Sequence, residues 1–167
     1  MRIIAFTAAA LTATALLASA AAAAAQPASV TVVVGPELQA KAVRTLGVRD
    51  VNELAADLQK AVERQTGKSH AYDGARIVLE LADAKPNRPT FKQMADQPGL
   101  SYESFGIGGA RIEGHAIAPD GRMTPLSYSY YEPDIRNARL GGTWSDAHWT
   151  IQRFAYRLGR GEVLASR

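Results

Sequence analysis

Three histidines are the side chains of this sequence best suited to metal binding or to acid–base chemistry near neutral pH. None of them belongs to an H-x-x-x-H or H-E-x-x-H motif, the spacings that place two imidazoles on one face of a helix. His115 follows Glu113 by two residues in a predicted strand, so we expect both side chains on one face of a sheet. A transition-metal site needs three or more converging ligands, and His70 or His148 would have to complete it. The alternative is that all three histidines are solvated or hydrogen-bonded for structural reasons.

Motifs for covalent catalysis and phosphate binding are missing from the sequence. It has no cysteine, and neither G-x-S-x-G nor S-x-x-K occurs. Gly106, Gly108 and Gly109 do not form a dinucleotide fingerprint, because Arg111 stands where the third glycine is needed and a strand follows instead of a helix. We therefore expect these glycines to permit a tight entry into the strand, and the sequence implies no cofactor. Carboxylates are numerous, and we expect most of them on the surface; those that a cleft could use are Glu80, Glu113, Asp120, Asp134 and Asp146.

The features that most suggest binding are a loop bracketed by prolines and an aromatic-rich C-terminal part. Arg88 lies between Pro86 and Pro89, where it either contacts a ligand or pins the loop by donating a buried fork of hydrogen bonds to a carboxylate. The aromatic residues are Tyr128, Tyr130, Tyr131, Trp144 and Trp149. Aromatic side chains together with arginine are typical anchors of binding surfaces, although core packing is the alternative for Tyr128 and Tyr130. The candidate binding residues are Arg88, Arg111, Tyr128, Tyr130 and Trp144.

Hydrophobic periodicity predicts the elements that position these residues. Strands are predicted over 29–34 and 75–82, and over 110–118 and 123–131 as a hairpin. Helices are predicted over 36–46, 51–66 and 146–158, with a long ordered loop over 83–104 that holds one helical turn near 91–95. The order β-α-α-β-loop-β-β-α predicts an α+β fold, a small mixed β-sheet with helices packed on one face.

Three local details accompany these elements. The β-branched run at 29–34 predicts a strand that is buried on both faces. Asp50 and Glu53 resemble a capping box at the start of the second helix. Ser145 is the predicted N-cap of the last helix.

The N-terminal residues resemble a cleaved export signal. Arg2 precedes an apolar run over 3–17, and small residues at the right spacing allow cleavage after Ala20 or Ala25. We expect residues 1–25 to be removed. Residues 26–167 should then form a single domain without a stable membrane span, and this mature protein should be periplasmic or secreted. The net charge of +3 is spread along the chain, which argues against nucleic acid as a partner.

Three blocks carry a resemblance: LELADAKPNRPTF (79–91), FGIGGARIEG (105–114) and GTWSDAHWTIQRFA (142–155). With the layout of elements after a leader, they look like small uncharacterised exported proteins of Gram-negative bacteria. The resemblance implies a periplasmic location and transfers no activity or functional residue, and no characterised family matches the residues.

The leading hypothesis is a non-catalytic exported module that binds an envelope protein or another envelope component. The alternatives are a small metal-dependent or hydrolytic enzyme and a carrier of a small ligand. Converging histidines and carboxylates would favour the enzyme, and a closed cavity lined by Tyr128, Tyr130 and Trp144 would favour the carrier. A flat exposed aromatic patch or a free sheet edge would favour the binding module.

Overall fold

Four strands form one mixed β-sheet in the computed structural model, which describes residue 27, residues 29–138 and residues 141–162. They are β1 (Ser29–Val34), β2 (Arg76–Lys85), β3 (Gly109–Ile117) and β4 (Met123–Tyr131), and they lie in sequence order across the sheet. β1 is parallel to β2, whereas β2, β3 and β4 are antiparallel to one another in turn. The predicted α+β fold with a mixed sheet is therefore confirmed. The predicted leader, residues 1–25, lies outside the described residues.

The helices follow the predicted order. They are α1 (Pro36–Lys41), which continues into a π-helical turn (Ala42–Leu46), α2 (Val48–Ser69), α3 (Phe91–Asp96), α4 (Ile135–Ala138) and α5 (Ser145–Gly159). Only α4 was not expected from the periodicity, because a helix of four residues has no room for an apolar repeat. The helical turn predicted inside the long loop is α3.

The core lies between the sheet and the two long helices. α2 packs against β1 and α5, and α5 packs against β3 and β4. Phe154 of α5 is fully buried, as are Leu58 of α2 and Leu79 of β2. On the opposite face of the sheet, side chains such as Glu113 and His115 remain partly accessible.

β1 is an edge strand, and the prediction that both of its faces are buried is wrong. Val30, Val32 and Val34 pack against the core, whereas Val33 on the other face is 49% exposed. The composition misleads because β-branched residues fit both edge and central strands, so a run of valines does not report how many neighbours a strand has.

Both predicted N-caps are also wrong. α2 begins at Val48, which places Asp50 inside its first turn. α5 begins at Ser145 itself, whose hydroxyl accepts a hydrogen bond from the Gly142 N–H at 2.7 Å and so closes the preceding turn. The capping box that the structure does contain belongs to α3, where Thr90 and Gln93 cap each other's backbone.

Candidate functional site

Three loops meet at the end of the sheet where β2 ends, β3 begins and α5 starts, and the buried side chain of Asn87 joins them. Its amide donates to the Asp146 carboxylate at 2.5 Å and to the Gly106 carbonyl at 3.4 Å, and its oxygen accepts from the Asp146 N–H at 3.0 Å. Asp146 also accepts from the Gly108 N–H at 3.1 Å. The Asn87 backbone N–H donates to the Thr143 carbonyl at 2.7 Å. These bonds fix the relative positions of segments that are far apart in sequence.

Arg88 adds a second clamp beside Asn87. Its Nε donates to the Gly141 carbonyl and one of its terminal nitrogens donates to the Tyr102 carbonyl, both at 2.6 Å. Its guanidinium also lies 5.1 Å from the centre of the Tyr102 ring, within the range of a cation–π contact. These contacts hold the loop in place, but both acceptors are backbone carbonyls, where a carboxylate was expected from the sequence.

Phe91 projects from this framework into solvent. It is the first residue of α3, directly after Thr90, whose hydroxyl accepts from the Gln93 N–H at 3.2 Å while the Gln93 side chain accepts from the Thr90 N–H at 3.0 Å. The Phe91 side chain is 86% exposed, the largest exposed fraction among the large hydrophobic residues of the described chain. A capped and anchored helical turn thus holds a phenylalanine in water.

Phe91 lines a cleft of about 590 Å³ between the start of α2 and the segment that carries α3. On the floor of this aromatic cleft, the Trp144 Nε1 donates to the Asp50 carboxylate at 3.2 Å, which ties the loop before α5 to the first turn of α2. The rim also carries Tyr102, 53% exposed, and Val48, 39% exposed. The residues that line the cleft include Val48, Arg49, Phe91, Lys92, Tyr102 and Trp144.

The charges around the aromatic cleft are largely paired within the chain. Arg49 donates to Glu53 at 2.8 Å, and this hydrogen bond and charge raise the pKa of Arg49 above its ordinary value. Lys92 donates to Asp96, also at 2.8 Å. Because each cation has a carboxylate one helical turn away, the rim offers little unpaired charge to an ionic ligand.

Of the five residues predicted to bind, the structure brings two to this region. Trp144 lines the cleft, and Arg88 holds Tyr102 on its rim. The sequence did not indicate Phe91, Tyr102 or Asp50. A signal for Phe91 was available in the sequence: the T-x-x-Q capping box directly after Pro89 predicts a helix with Phe91 at its first position. In the structure, this helix has no buried residue.

The other three predicted binding residues lie elsewhere. Tyr128 faces the helices, with its ring centre 6.3 Å from that of Phe154, and Tyr130 lies 4.6 Å from the ring of Trp149. Arg111 lies on the opposite face of the sheet and donates to Glu113 at 3.0 Å. These residues do not form one site with Trp144, and their binding role stays a prediction.

The histidines are separated from one another. His70 ends α2 in the left-handed conformation and lies 3.2 Å from Asp73, and His148 on α5 lies 3.7 Å from Asp57 on α2. His115 lies on the same face of the sheet as Glu113, as predicted. Within residues 27, 29–138 and 141–162, no three histidines, aspartates or glutamates are placed to hold a metal ion.

A hydrogen-bonded carboxylate lies at the β-bulge of β2. Asp83 accepts from the Tyr131 hydroxyl at 2.6 Å and from Lys41 at 2.8 Å. Partial burial opposes its ionisation, but these two donors outweigh burial and lower the pKa of Asp83 below its ordinary value. Burial and the bond to Asp83 raise the pKa of Tyr131, so the phenol stays a donor.

The fold and the cleft together define an α+β protein with an exposed aromatic cleft, whose segments are held by hydrogen bonds. No protein-family model matches the chain and no curated protein matches it, in agreement with the prediction that no characterised family would be found. In the described part of the chain, every helix is too short or too polar to cross a bilayer.

Proposed function

We propose that this protein is a non-catalytic binding module of the bacterial envelope, and that its aromatic cleft holds an apolar side chain presented by a protein partner. The observation that carries the proposal is Phe91, an almost fully exposed phenylalanine beside a cleft that also contains Trp144 and Tyr102. Exposed aromatic side chains that surround a concave site are typical anchors of protein interfaces.

Preorganisation supports a binding role for this cleft. Phe91 stands on a capped turn, Tyr102 is held by Arg88, and Trp144 is tied to Asp50. A site whose backbone segments are already held by hydrogen bonds loses less conformational entropy when a partner binds. The energy gained from burying the rings is therefore available for affinity.

The chemistry of the cleft favours an apolar anchor over an ionic one. Arg49 and Lys92 are each paired with a carboxylate of their own helix, and Asp50 accepts a hydrogen bond from Trp144. A partner that inserts a leucine, methionine or aromatic side chain removes the exposed apolar surface of Phe91 from water without breaking these pairs.

The location in the envelope rests on the sequence of residues 1–25, where a positive residue, an apolar run and small residues follow one another as in an export signal. A periplasmic or secreted protein meets its partners outside the cytoplasm. We therefore place the partner among envelope proteins.

Photo-crosslinking in living cells tests this proposal. The photoreactive residue benzoylphenylalanine replaces Phe91, whose exposure makes the substitution compatible with folding. We expect irradiation to yield a discrete adduct with one envelope protein, identified by mass spectrometry. The subsequent Phe91→Ala variant should weaken the binding of that purified partner by about tenfold or more, as for an aromatic hot spot.

The matched control places the same photoreactive residue at Met123, which is 60% exposed at the start of β4. Position 123 should give no such adduct. The proposal fails if position 91 forms no adduct, if both positions capture the same proteins, or if Phe91→Ala binds the captured partner as tightly as the unchanged chain.

A further inference from the structure

The two edges of the sheet differ in their free backbone groups. At the β4 edge, the Glu132 N–H donates to the Gly108 carbonyl at 3.0 Å, and the Ala118 N–H donates to the Arg122 carbonyl at 2.9 Å. Backbone groups alternate in direction along a strand, so even-numbered residues of β4 face β3 and odd-numbered residues face outward. Pro125 stands at an outward position and has no N–H to offer. This proline blocks the addition of another strand at the β4 edge.

The β1 edge has no such protection in its sequence. The Gly35 N–H donates to the Leu81 carbonyl at 2.9 Å, so the odd-numbered residues of β1 bond to β2. Val30, Val32 and Val34 consequently direct their N–H and C=O groups outward. The strand reads SVTVVV, with neither a proline nor a charge, and strands of this kind accept a further strand readily.

A groove of about 470 Å³ runs along this edge between β1 and α2. Its walls are uncharged, and those on α2 are small or neutral: Asn52, Ala55, Ala56 and Gln59. A surface without charge can face a copy of itself without repulsion between like charges, whereas a charged partner would find no complement here.

We propose that the β1 edge binds the β1 edge of a second copy of this chain, so that two four-stranded sheets join into one across a two-fold axis. The axis passes through Val32, which pairs with Val32 of the partner subunit. Val30 then pairs with Val34 of the partner subunit, and Val34 pairs with Val30 of the partner subunit. The outward N–H and C=O groups of Val30, Val32 and Val34 are then all paired, in about six hydrogen bonds between the two strands. The contact is self-complementary, as a two-fold interface requires.

The oligomeric state of the purified protein tests the proposal. Light scattering after size exclusion should give twice the mass of one chain, with the chain mass measured by mass spectrometry on the same sample. Val32→Pro removes the outward N–H at the axis in both copies and leaves the bonds between β1 and β2 in place, so it should weaken dimerisation by about tenfold or more. Ser127→Pro makes the same change at an outward position of β4 and should leave the dimer intact.

Cysteine crosslinking keeps the proposal testable if Val32→Pro destabilises the fold. The chain has no cysteine, and the proposed register places Thr31 opposite Val33 of the partner subunit in a pair without hydrogen bonds, where side chains lie closest. The double variant Thr31→Cys with Val33→Cys should form a covalent dimer under mild oxidation. Ser127→Cys with Ser129→Cys, at the β4 edge, should not.

A chain that stays monomeric at every concentration overturns the proposal, and so does a β4 double-cysteine variant that crosslinks as fully as the β1 variant. A dimer that survives Val32→Pro and does not crosslink through positions 31 and 33 uses another surface, which also refutes the assignment. Dimerisation through β1 does not involve Phe91, so these outcomes are independent of the cleft.

Discussion

Among single residues, Asn87 joins the loops beside the cleft through its buried side-chain amide. It is 1% exposed, and both its donor and acceptor sides engage Asp146 at the start of α5. A buried amide that satisfies groups on another element is costly to remove, because each group left without a partner is also shielded from water. The precision of the cleft therefore depends on a residue that does not line it.

Replacing Asn87 should measure this dependence. Asn87→Ala leaves the Asp146 N–H without its acceptor and takes away one of the two donors to the Asp146 carboxylate oxygen, which keeps the Gly108 N–H, and we expect the free energy of unfolding to fall by about 2–3 kcal/mol. Urea denaturation followed by circular dichroism gives the value. Asn52→Ala, an exposed change on α2, serves as control and should cost less than about 0.5 kcal/mol. Equal losses in both variants would contradict the role given to Asn87.

The pair of Tyr131 and Asp83 should make stability depend on pH. The pKa of Asp83 is lowered in the folded chain, so the interaction stabilises the fold above the unfolded pKa of an aspartate and is lost as the pH falls through the folded pKa. Tyr131→Phe removes the hydroxyl donor, and near pH 7 it should cost about 1–2 kcal/mol. The cost should shrink as the pH falls below the ordinary aspartate pKa of about 4 and through the lower pKa of folded Asp83.

Unfolding curves of the unchanged chain and of Tyr131→Phe at several pH values check this expectation. Tyr156→Phe is the control, since the Tyr156 hydroxyl lies on the surface and contacts Arg160 instead of a carboxylate. A Tyr131→Phe cost that stays constant from neutral to acidic pH would show that Asp83 does not carry the effect.

At the scale of elements, the fold depends on α5 lying across β3 and β4. Phe154 is at the centre of this contact, fully buried and with its ring beside that of Tyr128. Ala147, Ile151, Ala155 and Leu158 complete the apolar face of the helix and are also fully buried. The helix-on-sheet contact therefore concentrates in one aromatic residue with smaller residues around it.

Phe154→Ala should lower the free energy of unfolding by about 3–5 kcal/mol, because it removes a buried ring and leaves a cavity that the small neighbours fill incompletely. Thermal and urea denaturation measure the loss. Tyr156→Ala lies two residues along the same helix but faces solvent, with 52% exposure, and should have a much smaller effect. A melting temperature of Phe154→Ala within a degree of the unchanged chain would disprove this packing.

For the whole molecule, we predict the residue at which the mature chain begins. Residues 1–25 have the pattern of a cleaved leader, so the mature chain should start after Ala20 or Ala25. Mass spectrometry of the protein isolated from its native cells, fraction by fraction, checks this. Replacing Leu16 and Leu17 by aspartate breaks the apolar run and should block processing. A mature protein in the cytoplasm that still begins with Met1 would contradict export.

The order and type of nearly every element follow from the pattern of apolar residues along the chain. Repeats of apolar residues at helical spacing mark α2 and α5, and alternation marks β2 and β4, because these patterns follow from backbone geometry and the need to bury apolar side chains. The pairing of β3 with β4 also followed, since a short turn between two strands makes them antiparallel.

Which surfaces remain uncovered, and with them the aromatic cleft and the free edge of β1, depends on how the elements pack. Phe91 lies on α3, which packs against the π-helical turn before α2, and β1 stands at the edge because the strand order places it first, beside β2. Local pattern does not encode such contacts, because the burial of a side chain is set by whatever long-range neighbours the whole chain brings to it.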